Sequence, residues 1–71
     1  MNLIKSSDDG NRHIVNLSQI RSFHFTDAGW NTRAEIVFVI SDEIYIDWMY
    51  TDEEQGRRDY EKIQSMFVNQ L

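Results

Sequence analysis

Apolar and polar residues alternate with a period of two along three stretches of the chain. In residues 20–26, Arg21, Phe23 and Phe25 share a parity opposed to Ser22, His24 and Thr26, the pattern of a strand with one side buried. Residues 34–41 place Ile36, Phe38 and Ile40 on one side and Glu35, Val37 and Val39 on the other, so this strand is apolar on both faces at its centre. Alternation resumes over 44–50, with Ile44, Ile46, Trp48 and Tyr50 opposed to Tyr45, Asp47 and Met49. The register of the last two strands follows from side-chain faces, because paired residues share a face and a one-residue slip exchanges them. A three-residue loop, Ser41-Asp42-Glu43, pairs Ile40 with Ile44, Phe38 with Ile46 and Ile36 with Trp48. A two-residue loop sets Phe38 beside Asp47, a carboxylate on the richer apolar face. The longer loop is therefore predicted, although it lacks the glycine that such turns favour.

Near the C-terminus the period changes to three and four. Tyr60, Ile63, Phe67 and Leu71 form one stripe with Met66 beside it, which predicts an amphipathic helix running to about Asn69. Its start is signalled by Thr51-Asp52-Glu53-Glu54. Thr51 as N-cap and Glu54 three residues on make a capping box, with Asp52 and Glu53 at the positive end of the helix dipole. Gly56 falls inside this helix at a cost of about 1 kcal/mol relative to alanine, a cost that close approach of the first turn to the sheet would offset. At the other end, Leu3 and Ile4 start a short strand, Ser6 to Asn11 is a dense turn cluster, and residues 12–17 read as a strand returning as a hairpin. Asp27 to Thr32 reads as a loop carrying Trp30.

These elements compose an α+β fold: a small antiparallel sheet of four or five strands with one C-terminal helix packed on one face, as a single domain over residues 1–71. Composition narrows the picture. A chain of 71 residues buries only about 60% of the surface its unfolded form exposes, and small scaffolds supplement thin cores with disulfides, metals or association. There is no cysteine, and His13 and His24 are the only histidines, which removes disulfides and leaves little for a zinc site. Association is the remaining supplement. The 41% apolar content with nine aromatic residues argues for a folded chain. No window approaches the roughly 18 apolar residues of a membrane span, and Leu3-Ile4-Lys5 runs into polar Ser6 to Gly10 instead of an apolar leader region. A cytoplasmic protein away from membranes is expected, one in which the acceptor pattern Asn16-Leu17-Ser18 stays unglycosylated.

A single helix covers one face of a small sheet. The better candidate is the face bearing Ile36, Phe38, Ile40, Ile44, Ile46 and Trp48, which leaves Val37, Val39, Tyr45 and Met49 as an apolar strip bordered by Glu35 and Asp47. Exposed apolar patches with polar rims mark interfaces. The competing readings are that the N-terminal hairpin folds over this face, or that the sheet curls into a small barrel. Trp30 reads either as a lid over one end of the core, the favoured reading because tryptophan is well buried on average, or as an exposed anchor. The expected function is a non-enzymatic protein–protein interaction module, homodimeric, with Val37, Val39, Tyr45, Met49 and Trp30 meeting the partner.

Charge supplies the alternative. Twelve acidic against seven basic residues give a net charge of −5, which disfavours direct nucleic-acid binding and favours a basic protein surface as partner. Asp42, Glu43, Asp47, Asp52, Glu53 and Glu54 fall in a stretch without a basic residue. They could imitate nucleic acid before a basic groove, as an acidic inhibitor of the phage or mobile-element type would in blocking a nucleic-acid-binding enzyme. Against this, Asp52 and Glu53 suit the helix start, and Glu53 with Arg57 and Glu54 with Arg58 are favourable i,i+4 pairs. Arg57, Arg58 and Lys62, interrupted by Asp59 and Glu61, read as a solvated face. Catalysis finds little support: there is no cysteine nucleophile, Gly-rich phosphate loop, nucleophile elbow or metal-binding helix motif. No cofactor is implied. A third, weaker reading is an enzymatic or ligand-binding site at His24, within reach of Asp47 or Glu35 across the sheet.

Overall fold

In the computed structural model, which describes residues 3–30 and 32–68, alternation and helical periodicity become two sheets and one α-helix. Strands β1 (Leu3–Ile4) and β2 (Val15–Asn16) pair antiparallel, and β3 (Ser22–Thr26), β4 (Ala34–Val39) and β5 (Tyr45–Tyr50) form a three-stranded antiparallel sheet in that order. Helix α1 spans Glu53–Val68 and packs on this sheet. The predicted positions Asn69 and Leu71 lie outside the described residues. The fold is α+β as the periodicities require, but its five strands are divided between two sheets, of two and three strands, and do not form the single sheet of four or five that was expected. The strand expected over residues 12–17 is cut to two paired residues. Asn16 Oδ1 accepts the Ser18 N–H at 3.0 Å and caps a 3-10 turn over Leu17–Gln19 that ends it. Ahead of Val15, the Asn11 side chain bonds the Met49 backbone and the His13 carbonyl accepts from Trp48 Nε1.

The β4–β5 hairpin has the register argued from side-chain faces, with Ile36 opposite Trp48 and Phe38 opposite Ile46. Ile40 N–H donates to the Ile44 carbonyl at 2.9 Å. On the other side of β4, Phe23 stands opposite Phe38, His24 opposite Val37 and Phe25 opposite Ile36. Ile44, expected on the covered face, is 56% exposed, because it lies beyond the last ladder pair, Val39 with Tyr45.

One face of the sheet builds the core. Ala34, Ile36, Phe38, Trp48 and Tyr50 are buried there with Ile63 of the helix and with Val15, Leu17 and Ile20 of the N-terminal segment. Phe38 meets Trp48 edge-on with ring centroids 4.8 Å apart, and Phe23 meets Tyr60 and Phe67 edge-on at 5.5 and 5.4 Å. Such pairs add about 0.5–1.5 kcal/mol beyond burial. Hydrogen bonds hold the N-terminal segment to this same side: Trp48 Nε1 donates to the His13 carbonyl at 3.0 Å and Ser6 Oγ donates to Tyr50 OH at 2.9 Å. Tyr50 OH donates in turn to Asp59 Oδ2 at 2.7 Å, and that oxygen also accepts the Ser7 N–H at 2.9 Å and the Ser7 hydroxyl at 3.0 Å. Asp59 thereby ties helix, sheet and N-terminal segment at one point. Burial pushes the Tyr50 phenol well above its ordinary pKa; the Ser6 hydrogen bond opposes this and the Asp59 carboxylate adds to it.

The helix start differs in detail from the capping box. Its N-cap is Asp52, not Thr51: Asp52 Oδ1 accepts the Glu54 N–H at 3.0 Å and its carbonyl accepts the Gly56 N–H at 3.2 Å. Aspartate supplies an acceptor oxygen and a negative charge at the dipole in one side chain, whereas threonine supplies only the first. Gly56 makes the close approach expected of it, since a Cβ there would lie 2.8 Å from Tyr50 Cδ2 and 2.9 Å from Tyr50 Cγ.

Candidate functional site

The second face of the three-stranded sheet presents three registered rows: Ser22, Val39 and Tyr45; His24, Val37 and Asp47; Thr26, Glu35 and Met49. All six residues on the outer strands are exposed, and the three central ones are half-buried. This is the shielding that flanking strands alone provide. The strip of Val37, Val39, Tyr45 and Met49 is therefore open to solvent. The N-terminal hairpin does not cover it, because that segment is bound to the core side. Nor does the sheet close into a barrel, because β3 and β5 are both edges. Tyr45 is 63% exposed and Met49 46%.

Trp30 does not act as a lid; it is 96% exposed. The end of the core that it was to cover is closed by other groups. Gly56 lies against the Tyr50 and Phe25 rings, and the Arg57 guanidinium stands 5.5 Å over the Phe25 ring. The loop is then held by polar ties. Ala28 N–H donates to Glu53 Oε1 at 2.8 Å, Arg57 pairs with Asp27 at 2.9 Å, and the Gly29 N–H donates to Thr32 Oγ1 at 2.9 Å. Trp30 projects from this braced turn.

The six carboxylates do not gather. Asp42 pairs with Arg21 at 2.9 Å, Asp52 caps the helix, and Glu53 binds Ala28 and lies 4.0 Å from Arg57. Asp42 and Glu43 precede β5, Asp47 lies midway along it and Asp52 to Glu54 follow it, so the six are strung out along a six-residue strand about 20 Å long. Of the two helical ion pairs expected, Glu53 with Arg57 is found; Glu54 with Arg58 is not among those of the described residues. His24 shares a row with Asp47, with Val37 between them, and no hydrogen bond joins the two among the described residues. No cluster of three or more histidine or acidic residues able to hold a metal occurs among the described residues. No described helix is long and apolar enough to cross a membrane.

A residue that the sequence pattern placed in a turn has a further role. The Asn11 carboxamide donates to the Met49 carbonyl and accepts the Met49 N–H, both at 2.9 Å, so a side chain stands where a neighbouring strand would. Nothing in the local sequence signals this, because the contact joins residues 38 positions apart.

No protein-family model matches the chain, and neither a curated protein nor a solved structure matches it.

Proposed function

We propose that this protein is a non-enzymatic interaction module of the cytoplasm that associates reversibly with a second copy of itself through the open sheet face. Val37, Val39, Tyr45 and Met49 form the apolar contact, and Trp30 is a flanking anchor. The observation that carries this reading is the placement of the helix and the N-terminal hairpin on one side of the sheet, which leaves an apolar strip on the other. The absence of cysteine suits a reducing compartment.

Size decides how strong such a contact is. Three strands spaced about 4.8 Å apart and six residues rising about 3.4 Å each give a footprint of roughly 14 by 20 Å, near 290 Å². Even doubled for side-chain relief, this falls short of the roughly 800 Å² that each partner contributes to a standard interface. The face alone supports a weak association, and burial of Trp30, worth about 150–250 Å², becomes a large share of the contact. Glu35 and Asp47 at the rim, with the net charge of −5, oppose self-contact at low ionic strength, so added salt strengthens it.

Light scattering or sedimentation over a concentration series tests the reading. The mass is expected to rise with protein concentration and with salt, and Val39→Asp is expected to weaken that rise while the circular dichroism spectrum stays native. Monomer mass maintained at the highest attainable concentration refutes it.

A further inference from the structure

Hydrogen bonding along β4 and β5 determines which backbone groups of β5 face outward. Ile40 donates to Ile44, so Phe38 with Ile46, Ile36 with Trp48 and Ala34 with Tyr50 are the bonded pairs. Tyr45, Asp47 and Met49 consequently turn their N–H and C=O groups away from β4. At Met49 the Asn11 carboxamide satisfies both groups. At Tyr45 and Asp47 no partner does so among the described residues.

We propose that the backbones of Tyr45 and Asp47 pair edge to edge with the same residues of a second copy, antiparallel, giving a continuous six-stranded sheet. The Asn11 cap dictates the register. With Met49 already bonded, the two-fold arrangement that satisfies every remaining outward group puts Ile46 on the axis. Tyr45 then lies opposite Asp47 of the second copy on both sides, with both N–H···O=C bonds made in each pair. Exposed side chains distinguish this edge from the other. The β3 edge is flanked by the ion pairs of Arg21 with Asp42 and Arg57 with Asp27, and its exposed side chains are Ser22, His24 and Thr26. Beside the β5 edge, Ile44 and Tyr45 are 56% and 63% exposed and Ile46 is half-buried, so pairing there removes apolar surface as well as satisfying backbone groups. The two Asp47 carboxylates fall on a diagonal, about 7–8 Å apart. Their repulsion weakens the contact without forbidding it, and a charge in mid-edge guards against indiscriminate strand pairing.

The contact rests on the self-association proposed above and shares Tyr45 and Asp47 with the sheet face, but it uses their backbones and takes nothing from Val37 and Val39, so Val39→Asp distinguishes the two. With both contacts in use, assembly passes beyond the dimer.

Residue-resolved amide hydrogen exchange of the whole chain over a concentration series tests this, with Asp47→Pro, Asp47→Asn and Val39→Asp alongside. The Tyr45 and Asp47 amides are expected to gain protection in step with the associated fraction, and to gain it in Val39→Asp as well. Asp47→Pro removes an N–H that β4 does not use, a change tolerated on edge strands, and is expected to lose the protection at Tyr45. Asp47→Asn keeps the backbone, removes the repulsion and is expected to strengthen pairing. Association in which both amides exchange as in dilute protein overturns the edge contact and leaves the face contact standing. A chain that never associates overturns both. Should Asp47→Pro fail to fold, exchange in the unaltered chain decides the question by itself.

Discussion

Replacing Gly56 by alanine is expected to destabilise this protein, although alanine is the better helix former. Propensity alone favours the substitution by about 1 kcal/mol. The tertiary contact opposes it. The added Cβ would stand 2.8 Å from Tyr50 Cδ2, 2.9 Å from Tyr50 Cγ and 3.3 Å from Phe25 Cε1. The crowded atoms lie near the root of the tyrosine ring, and its far end is held by Asp59 at 2.7 Å and Ser6 at 2.9 Å. The ring cannot swing aside without breaking those bonds, so the helix must lift from the sheet. Overpacking of this kind costs about 1–3 kcal/mol, and a pinned ring puts the cost toward the upper part of that range. The net loss is then about 1–2 kcal/mol, a fall in Tm of roughly 4–16 °C for a chain of this size. Thermal unfolding followed by circular dichroism measures it, with Ser65→Ala at an exposed position of the same helix as a control expected to be neutral or slightly stabilising. In a Tyr50→Val background the ring is absent, and Gly56→Ala is expected to change sign and raise Tm. A Gly56→Ala protein as stable as the parent, or one that loses equally in both backgrounds, refutes the steric account.

Three further outcomes follow from the positions of Tyr50 and the two tryptophans. Because the Tyr50 phenol keeps its proton to higher pH in the folded state than in the unfolded one, its contribution is fully present below the unfolded pKa of about 10 and is lost as pH rises beyond it. Urea titrations are expected to show stability falling more steeply above about pH 10 in the parent than in Tyr50→Phe, and parallel curves would contradict this. Trp30, nearly fully exposed, is expected to change stability by less than about 0.5 kcal/mol on replacement by alanine. In Trp30→Phe the remaining Trp48 fluorescence should be blue-shifted and shielded from iodide, and ready quenching would place Trp48 outside the core.

The hairpin register was legible because Asp47 is a charge that one register buries and the other exposes, so a single residue discriminates between them. The C-terminal helix was legible for a similar reason: Tyr60, Ile63 and Phe67 can share a side only at helical spacing. The residues between Arg12 and Leu17 carry enough apolar character for a strand, but the Asn16 cap that ends it and the bonds that hold Asn11 and His13 to β5 are local or long-range contacts, not a pattern. Thr51 and Asp52 are both good caps, and their competition was settled by which oxygen reaches the Glu54 N–H. Trp30 misled because average burial says nothing about a core end already closed by Gly56 and Arg57.

Periodicity and residue chemistry along the chain were sufficient for the α+β class, for the two faces of β4 and for a strip that one helix could not also cover. They left open where the first twenty residues go. Packing answered that, through Trp48 bonding to the His13 carbonyl and Asp59 accepting from Ser7 and Tyr50, contacts between residues far apart in the chain. Alternation specifies which side chains share a side of a strand, but not what lies against that side, because the latter depends on long-range hydrogen bonds that leave no periodic trace in the sequence.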